Sequence, residues 1–238
     1  MRARLTAAAL AGFARVLTGL LCRWHGGGPR AEPTLYFANH TSHGDFVLLW
    51  SALPADLRAS TRPVAAADYW QGGRLRRFIG LEVFRALLVD REAGSGRAAV
   101  QAMADALRAG DSLVLFPEGT RNTGEARLLP FRSGLFHLVR SCPEVRVVPV
   151  WIDNLRRVLP KGCWLPVPLA CRVEFGAPLR MEPGEGCAEF LDRARAALLA
   201  LPGDPVAEPR SEPPAAPAAR TRIPALATVP TRPPGVLR

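Results

Sequence analysis

Two short apolar runs, each breaking off into a polar turn, constrain this chain more than any other feature. Thr34–Ala38 leads into Asn39-His40-Thr41-Ser42-His43-Gly44-Asp45, and Ser112–Phe116 leads into Pro117-Glu118-Gly119-Thr120-Arg121. Apolar runs of about four to eight residues bounded by turn residues read as buried strands. Between the two, Gly96–Ala109 carries Val100, Met103 and Leu107 at helical spacing. Arg146–Ile152 and Arg172–Phe175 read as later strands, and Cys187–Leu201 as a closing helix with Phe190, Leu191, Ala194 and Leu198 inward. Strands alternating with helices predict an α/β fold, a mixed sheet covered by helices, with ligands gathering where strand ends meet loops.

The first turn places His40 five residues before Asp45. In one continuous helix that step advances about 500°, leaving the two side chains about 140° apart. Gly44 and the polar Asn39, Thr41 and Ser42 instead favour a turn that curls the carboxylate back towards the imidazole. A carboxylate on one ring nitrogen fixes the tautomer and leaves the other nitrogen to accept a proton, which is general-base chemistry. The same residues also suit an Asx-type turn capping a helix over Phe46–Trp50, with an incidental histidine. His43 raises a third reading, two metal ligands, but His25 and His137 stand in no ligand spacing, and a catalytic zinc needs three protein ligands. No metal site is expected, and His43 reads as a turn residue beside the pair. Ser42 keeps a nucleophilic alternative open.

In the second turn, Pro117 stops the strand and Gly119 permits backbone amides to approach an anion closely. Thr120 offers a hydroxyl and Arg121 a planar guanidinium suited to phosphate. Glu118 is the odd member, since a carboxylate repels phosphate unless it pairs with an arginine or holds an acceptor hydroxyl. An ordinary solvent turn would use the same residue types.

Taken together, the blocks resemble the 1-acylglycerol-3-phosphate acyltransferase family of glycerolipid acyltransferases, which carries an NHxxxxD block, a middle block ending in arginine, an FPEGTR block and a later Val-Pro block. Here these are Asn39–Asp45, Gly80 through Leu88-Val89-Asp90-Arg91, Phe116–Arg121 and Val147-Val148-Pro149-Val150, with Leu128–His137 similar to the usual continuation. The resemblance covers residues 30–180 and implies a glycerolipid acyltransferase-like fold. It implies that His40 is the base and Asp45 its orienting partner, and that Arg91 grips the acceptor phosphate with Gly119, Thr120 and Arg121. It places Glu118 near the acceptor glycerol and Pro149 at a strand end by the acyl channel. Arg85 is the alternative middle-block arginine. The implied reaction moves a fatty acyl group from acyl carrier protein or coenzyme A onto 1-acylglycerol 3-phosphate, giving phosphatidic acid, with the thioester as co-substrate and no cofactor. Other lyso-acceptors, including an ornithine lipid precursor, are alternatives, because Trp151–Arg157 and Leu159–Gly162 could line a different acceptor site. A non-catalytic protein binding anionic lipid is a further one.

With 238 residues, 48% of them hydrophobic, the chain can bury one substantial core, expected over residues 30–201. A formal charge of +10 suits acidic lipid or nucleic acid, but no zinc finger, aromatic RNA-binding signature or helix-turn-helix is present, so nucleic acid is not an expected partner. Lys161 is the lone lysine, so the arginine excess reflects compositional bias more than function. Five cysteines without a C-x-x-C pair read as reduced thiols of a cytosolic compartment. Leu5–Leu21 is apolar apart from Thr6, Arg15 and Thr18, with Arg2, Arg4 and Arg23 around it. Arg15 would be costly in hydrocarbon, so residues 1–29 are expected to form a membrane-associating helix and linker, lying on the cytoplasmic face of the cell membrane. A span and a helix packed on the protein are the alternatives. Residues 202–238, dense in proline and arginine, read as a disordered tail.

Overall fold

The strand Thr34–Ala38 forms as its composition demands, and it becomes the axis of the molecule as β2. Leu35 and Phe37 point to one face of the sheet and Tyr36 and Ala38 to the other, and all four are buried. A strand whose two faces are both apolar has to lie between two layers. The computed structural model describes residues 1–66, 73–90, 96–153 and 170–201.

In chain order the remaining elements are α1 (Arg2–Thr18), β1 (Leu21–Trp24), α2 (Asp45–Ala52), α3 (Ala55–Ser60), β3 (Thr61–Ala66) and α4 (Arg74–Arg77), which runs into a π-helical turn (Phe78–Val83). They continue with β4 (Leu87–Val89), α5 (Gly96–Arg108), β5 (Ser112–Leu115), α6 (Gly134–Ser141), β6 (Arg146–Asp153), β7 (Arg172–Phe175) and α7 (Cys187–Leu199). The seven strands lie in the order β1-β7-β6-β2-β5-β3-β4. From β6 to β4 all neighbours are parallel, while β7 runs antiparallel to β6 and parallel to β1. The expected mixed α/β sheet is therefore present, with a five-stranded parallel centre.

Helices cover both faces. On one, Tyr36, Val148, Val150 and Val114 pack with Phe46, Leu49 and Trp50 of α2, Leu57 of α3 and Ala11 of α1. On the other, Leu35, Phe37 and Val147 pack with Met103 and Leu107 of α5, Leu135 and Leu138 of α6, and Phe190, Ala194 and Leu198 of α7. Parallel sheets need such cover on both sides.

The N-terminal segment differs from a linker-bound helix. α1 turns its small residues inward, with Ala3, Ala7, Leu10 and Ala11 against the core, and the stretch expected as linker supplies β1, paired with β7. Arg15, which interrupts the apolar run, donates from Nε to Ser51 O at 2.7 Å and from Nη2 to Leu53 O at 3.2 Å. It thereby satisfies carbonyls at the C-terminus of α2, where the helix dipole also favours a cation. Outward, Leu5, Phe13 and Val16 are exposed. Among the described residues no helix is long and apolar enough to cross a membrane.

Pro149 is the fourth residue of β6, opposite Phe37, and not at a strand end as the resemblance implied. Its carbonyl accepts from Gly176 N–H at 2.9 Å, just past the last residue of β7. The proline lacks the N–H that would return this bond, at the point where the β6–β7 ladder ends.

Candidate active site

β2 ends at Ala38, and Asn39 continues its course by other means. The Asn39 amide donates from Nδ2 to Ile152 O at 2.9 Å and accepts at Oδ1 from Ile152 N–H at 2.8 Å, so a side chain replaces a backbone rung to β6. This pairing is buried and holds the start of the turn rigidly.

From there the chain folds back as the sequence spacing predicted. His40 Nδ1 lies 2.9 Å from Asp45 Oδ2, and the same oxygen accepts from Thr41 N–H at 2.6 Å and Ser42 N–H at 2.8 Å. Asp45 is fully buried as the first residue of α2, where the helix N-terminus favours its negative charge. An ionised carboxylate only accepts, so Nδ1 carries the hydrogen and Nε2 presents a lone pair. Among the described residues, Nε2 has no hydrogen-bond partner. Ser42 Oγ accepts from Gly44 N–H at 3.3 Å, a bond internal to the turn. The histidine mount is therefore realised, whereas the capping reading is not: Gly44 is the N-cap of α2, no side chain caps the first N–H groups, and the Asp45 carboxylate reaches back to Thr41 and Ser42 ahead of the helix.

The second block clamps the first. Glu118 Oε1 accepts from His40 N–H at 2.7 Å, and Glu118 Oε2 from Leu129 N–H at 2.9 Å. Asn122 N–H donates to His40 O at 2.7 Å. The Phe116 ring stacks on the imidazole, with centroids 4.2 Å apart and planes 19° from parallel. Burial pushes the Glu118 carboxyl above its usual pKa, against the lowering pull of the two N–H bonds and of His40. Glu118 was expected either to pair with an arginine or to face the acceptor; both of its oxygens instead take backbone N–H groups. None of these contacts to His40 was legible beforehand, although Phe116 and Asn122 directly flank the Pro117–Arg121 turn.

Gly119 has a φ of 70°, which favours glycine, and its N–H donates to Phe116 O at 3.0 Å. Gly119 and Thr120 are exposed at the mouth of the site and Arg121 is half-buried. Burial lowers the His43 pKa, with Arg121, His40 and Arg76 pushing the same way and Asp45 opposing. Arg121 and Arg76 thus both lie close enough to His43 to disfavour its charge, which places an unforeseen cation from α4 near the turn. Arg91 lies outside the described residues. Its alternative, Arg85, is committed elsewhere: it adopts a φ of 51°, donates to Ala59 O at 3.0 Å and pairs with Asp111 at 3.2 Å. Among the described residues no group of three or more histidine, cysteine or acidic side chains is placed to hold a metal ion.

Comparison with known proteins finds acyltransferases. The chain is 27% identical to a 1-acyl-sn-glycerol-3-phosphate acyltransferase of Limnanthes alba over 70% of its own length, and 25% identical to that of Limnanthes douglasii over 69%. It spans 57% and 56% of the lengths of these two relatives. Its fold is similar to the crystal structure of the 1-acyl-sn-glycerophosphate acyltransferase of Thermotoga maritima, with a TM-score of 0.59 and 20% identity, covering 82% of this chain and 77% of that one. The sequence profile of the acyltransferase family matches residues 25–153, more than half of the chain and the whole of the turn, clamp and central sheet. The protein belongs to the acyltransferase family.

Proposed function

We propose that this chain is an O-acyltransferase that moves a fatty acyl group from a thioester donor, acyl carrier protein or coenzyme A, to the free hydroxyl of 1-acylglycerol 3-phosphate. The observation that carries this reading is the His40–Asp45 pair, with Nδ1 tied to a buried carboxylate and Nε2 open. Nε2 takes the hydroxyl proton as the oxygen attacks the thioester carbonyl. The tetrahedral intermediate then collapses, the C–S bond breaks, and the imidazolium returns the proton to the departing thiolate. Asp45 holds the tautomer and stabilises the imidazolium between these steps. The names of the relatives favour the phosphate-bearing acceptor, and the arginines around the Gly119 turn suit it.

The exposed Leu5, Phe13 and Val16 of α1, beside Arg2 and Arg4, suit a peripheral position on an anionic membrane, which would bring the site to its lipid acceptor. The deciding experiment incubates purified protein with a panel of lysolipids and both donors and identifies products by mass spectrometry. Wild-type protein is expected to acylate 1-acylglycerol 3-phosphate, and folded His40→Ala and Asp45→Asn variants are expected to lose nearly all turnover. A folded His40→Ala protein with near-normal turnover would sink the mechanism.

A further inference from the structure

The segment after the second turn folds back onto it. Leu129 N–H donates to the Glu118 carboxylate and Arg132 N–H to Pro117 O at 2.8 Å, so one side-chain bond and one backbone bond fix residues 129–132 alongside the turn. Phe131 adds an edge-to-face contact with Phe37 of β2. These anchors lay the Arg132 side chain across Gly119: a Cβ added at that glycine would fall on Arg132 Cδ and Nε, with Cζ 3.2 Å away. Gly119 is needed for its φ of 70°, and its missing side chain leaves the room that the Arg132 side chain occupies.

A solvated arginine with no task has no reason to lie flat on a backbone turn. Among the described residues, neither Arg132 nor Arg121 makes an ion pair or a side-chain hydrogen bond. The nearest carboxylate in the turn, Glu118, faces inward and spends both oxygens on backbone amides. Two residues beyond Arg132, α6 begins at Gly134 with no side-chain cap on its first N–H groups, which adds positive potential on the same side. The arrangement concentrates positive charge without a carboxylate partner among the described residues, on the segment next to Glu118, which holds the backbone of His40.

We propose that Arg132 is an acceptor-positioning residue, gripping with Arg121 the phosphate monoester of the acceptor above Gly119. This rests on the acyl-transfer reading above and adds a residue that neither the motif nor the spacing of the blocks singled out. Two guanidinium groups can share a phosphate through parallel N–H bonds, and so fix the distance from the phosphate to the hydroxyl that must reach His40.

The test measures Michaelis constants for acceptor and donor separately in Arg132→Ala and Arg132→Lys, with melting temperature as the check on folding. Arg132→Ala is expected to raise the acceptor constant about tenfold or more while the donor constant and kcat change little, and Arg132→Lys to recover part of the loss. Inhibition by inorganic phosphate should weaken in parallel. An unchanged acceptor constant, a rise confined to the donor, or equal loss towards both substrates in a folded variant overturns the proposal. If wild-type protein does not acylate 1-acylglycerol 3-phosphate at all, the acyl-transfer reading fails on its own. Calorimetric binding of inorganic phosphate to wild-type and Arg132→Ala protein then decides the role of Arg132: weaker binding in the variant supports it, and equal binding overturns it.

Discussion

Replacing Glu118 with glutamine separates two roles that its position in the sequence leaves entangled. In the structure its carboxylate accepts from His40 N–H at 2.7 Å and Leu129 N–H at 2.9 Å, and it is buried. Glutamine keeps the shape but offers one acceptor oxygen, so one backbone N–H must face an amide NH2. A hydrogen bond to a charged group contributes about 1.5–3 kcal/mol, and a buried donor left unpaired costs about 1–3 kcal/mol. Against this, the neutral amide avoids the desolvation that raises the carboxyl pKa. The net expectation is a loss of about 2 kcal/mol, or roughly 4–8 °C in melting temperature for a domain of this size. Because Glu118 ties the backbone of His40 to that of Leu129 and the amide can serve only one of them, kcat should fall while the acceptor Michaelis constant stays near wild type. Thermal unfolding and steady-state kinetics on the same preparation give both quantities. A Glu118→Gln protein of unchanged stability with a raised acceptor constant would refute this clamp on His40 and favour a direct contact between Glu118 and the acceptor.

Three further outcomes are expected. Asn39→Ala should cost about 2 kcal/mol or more in chemical denaturation, since it orphans the buried N–H and C=O of Ile152; an unchanged midpoint would mean that water replaces the amide at no cost. Arg15→Ala should lower stability by about 1 kcal/mol through the uncapped carbonyl of Ser51, Leu53 O keeping a donor in Arg58 Nη1 at 3.1 Å, with Arg15→Lys recovering part; equal stability of all three proteins would show the cap to be idle. The lowered pKa of His43 means that the unfolded chain takes up a proton as pH falls below about 6.5 while the folded one resists, so this contribution is present above that pH and lost below it. His43→Asn should therefore flatten the decline in melting temperature between pH 7.5 and 5.5, and an identical slope would refute the assignment.

The parts of the molecule that were legible in the sequence are those whose causes are local. β2 and β7 match their expected bounds, and α5 starts where its apolar spacing starts. The return of Asp45 to His40 follows from a five-residue turn rich in polar residues. β3 escapes notice because Arg62 and Pro63 interrupt its apolar pattern, and β4 because three residues give no period. What holds the turn in place was hidden for a different reason: Asn39 meets Ile152, and Glu118 meets Leu129 and His40, only after distant segments have come together. No spacing rule anticipates such pairings. The expectation for Arg91, like that for residues 202–238, falls outside the described residues.

β2 lies between β5 and β6, with Tyr36 opposite Val114 on one side and Val148 on the other. Each of these parallel pairings closes a long loop, and long-range parallel pairing is intrinsically slow to nucleate. As the chain leaves the ribosome, the histidine turn is made early, but its mount on Ile152 and its clamp from the second block arrive only when β5 and β6 have been synthesised and docked. The assembled site should therefore appear in one late step, and a fragment ending before β6 should carry the motif without it. Until then β2 presents two unpaired edges, a hazard for aggregation.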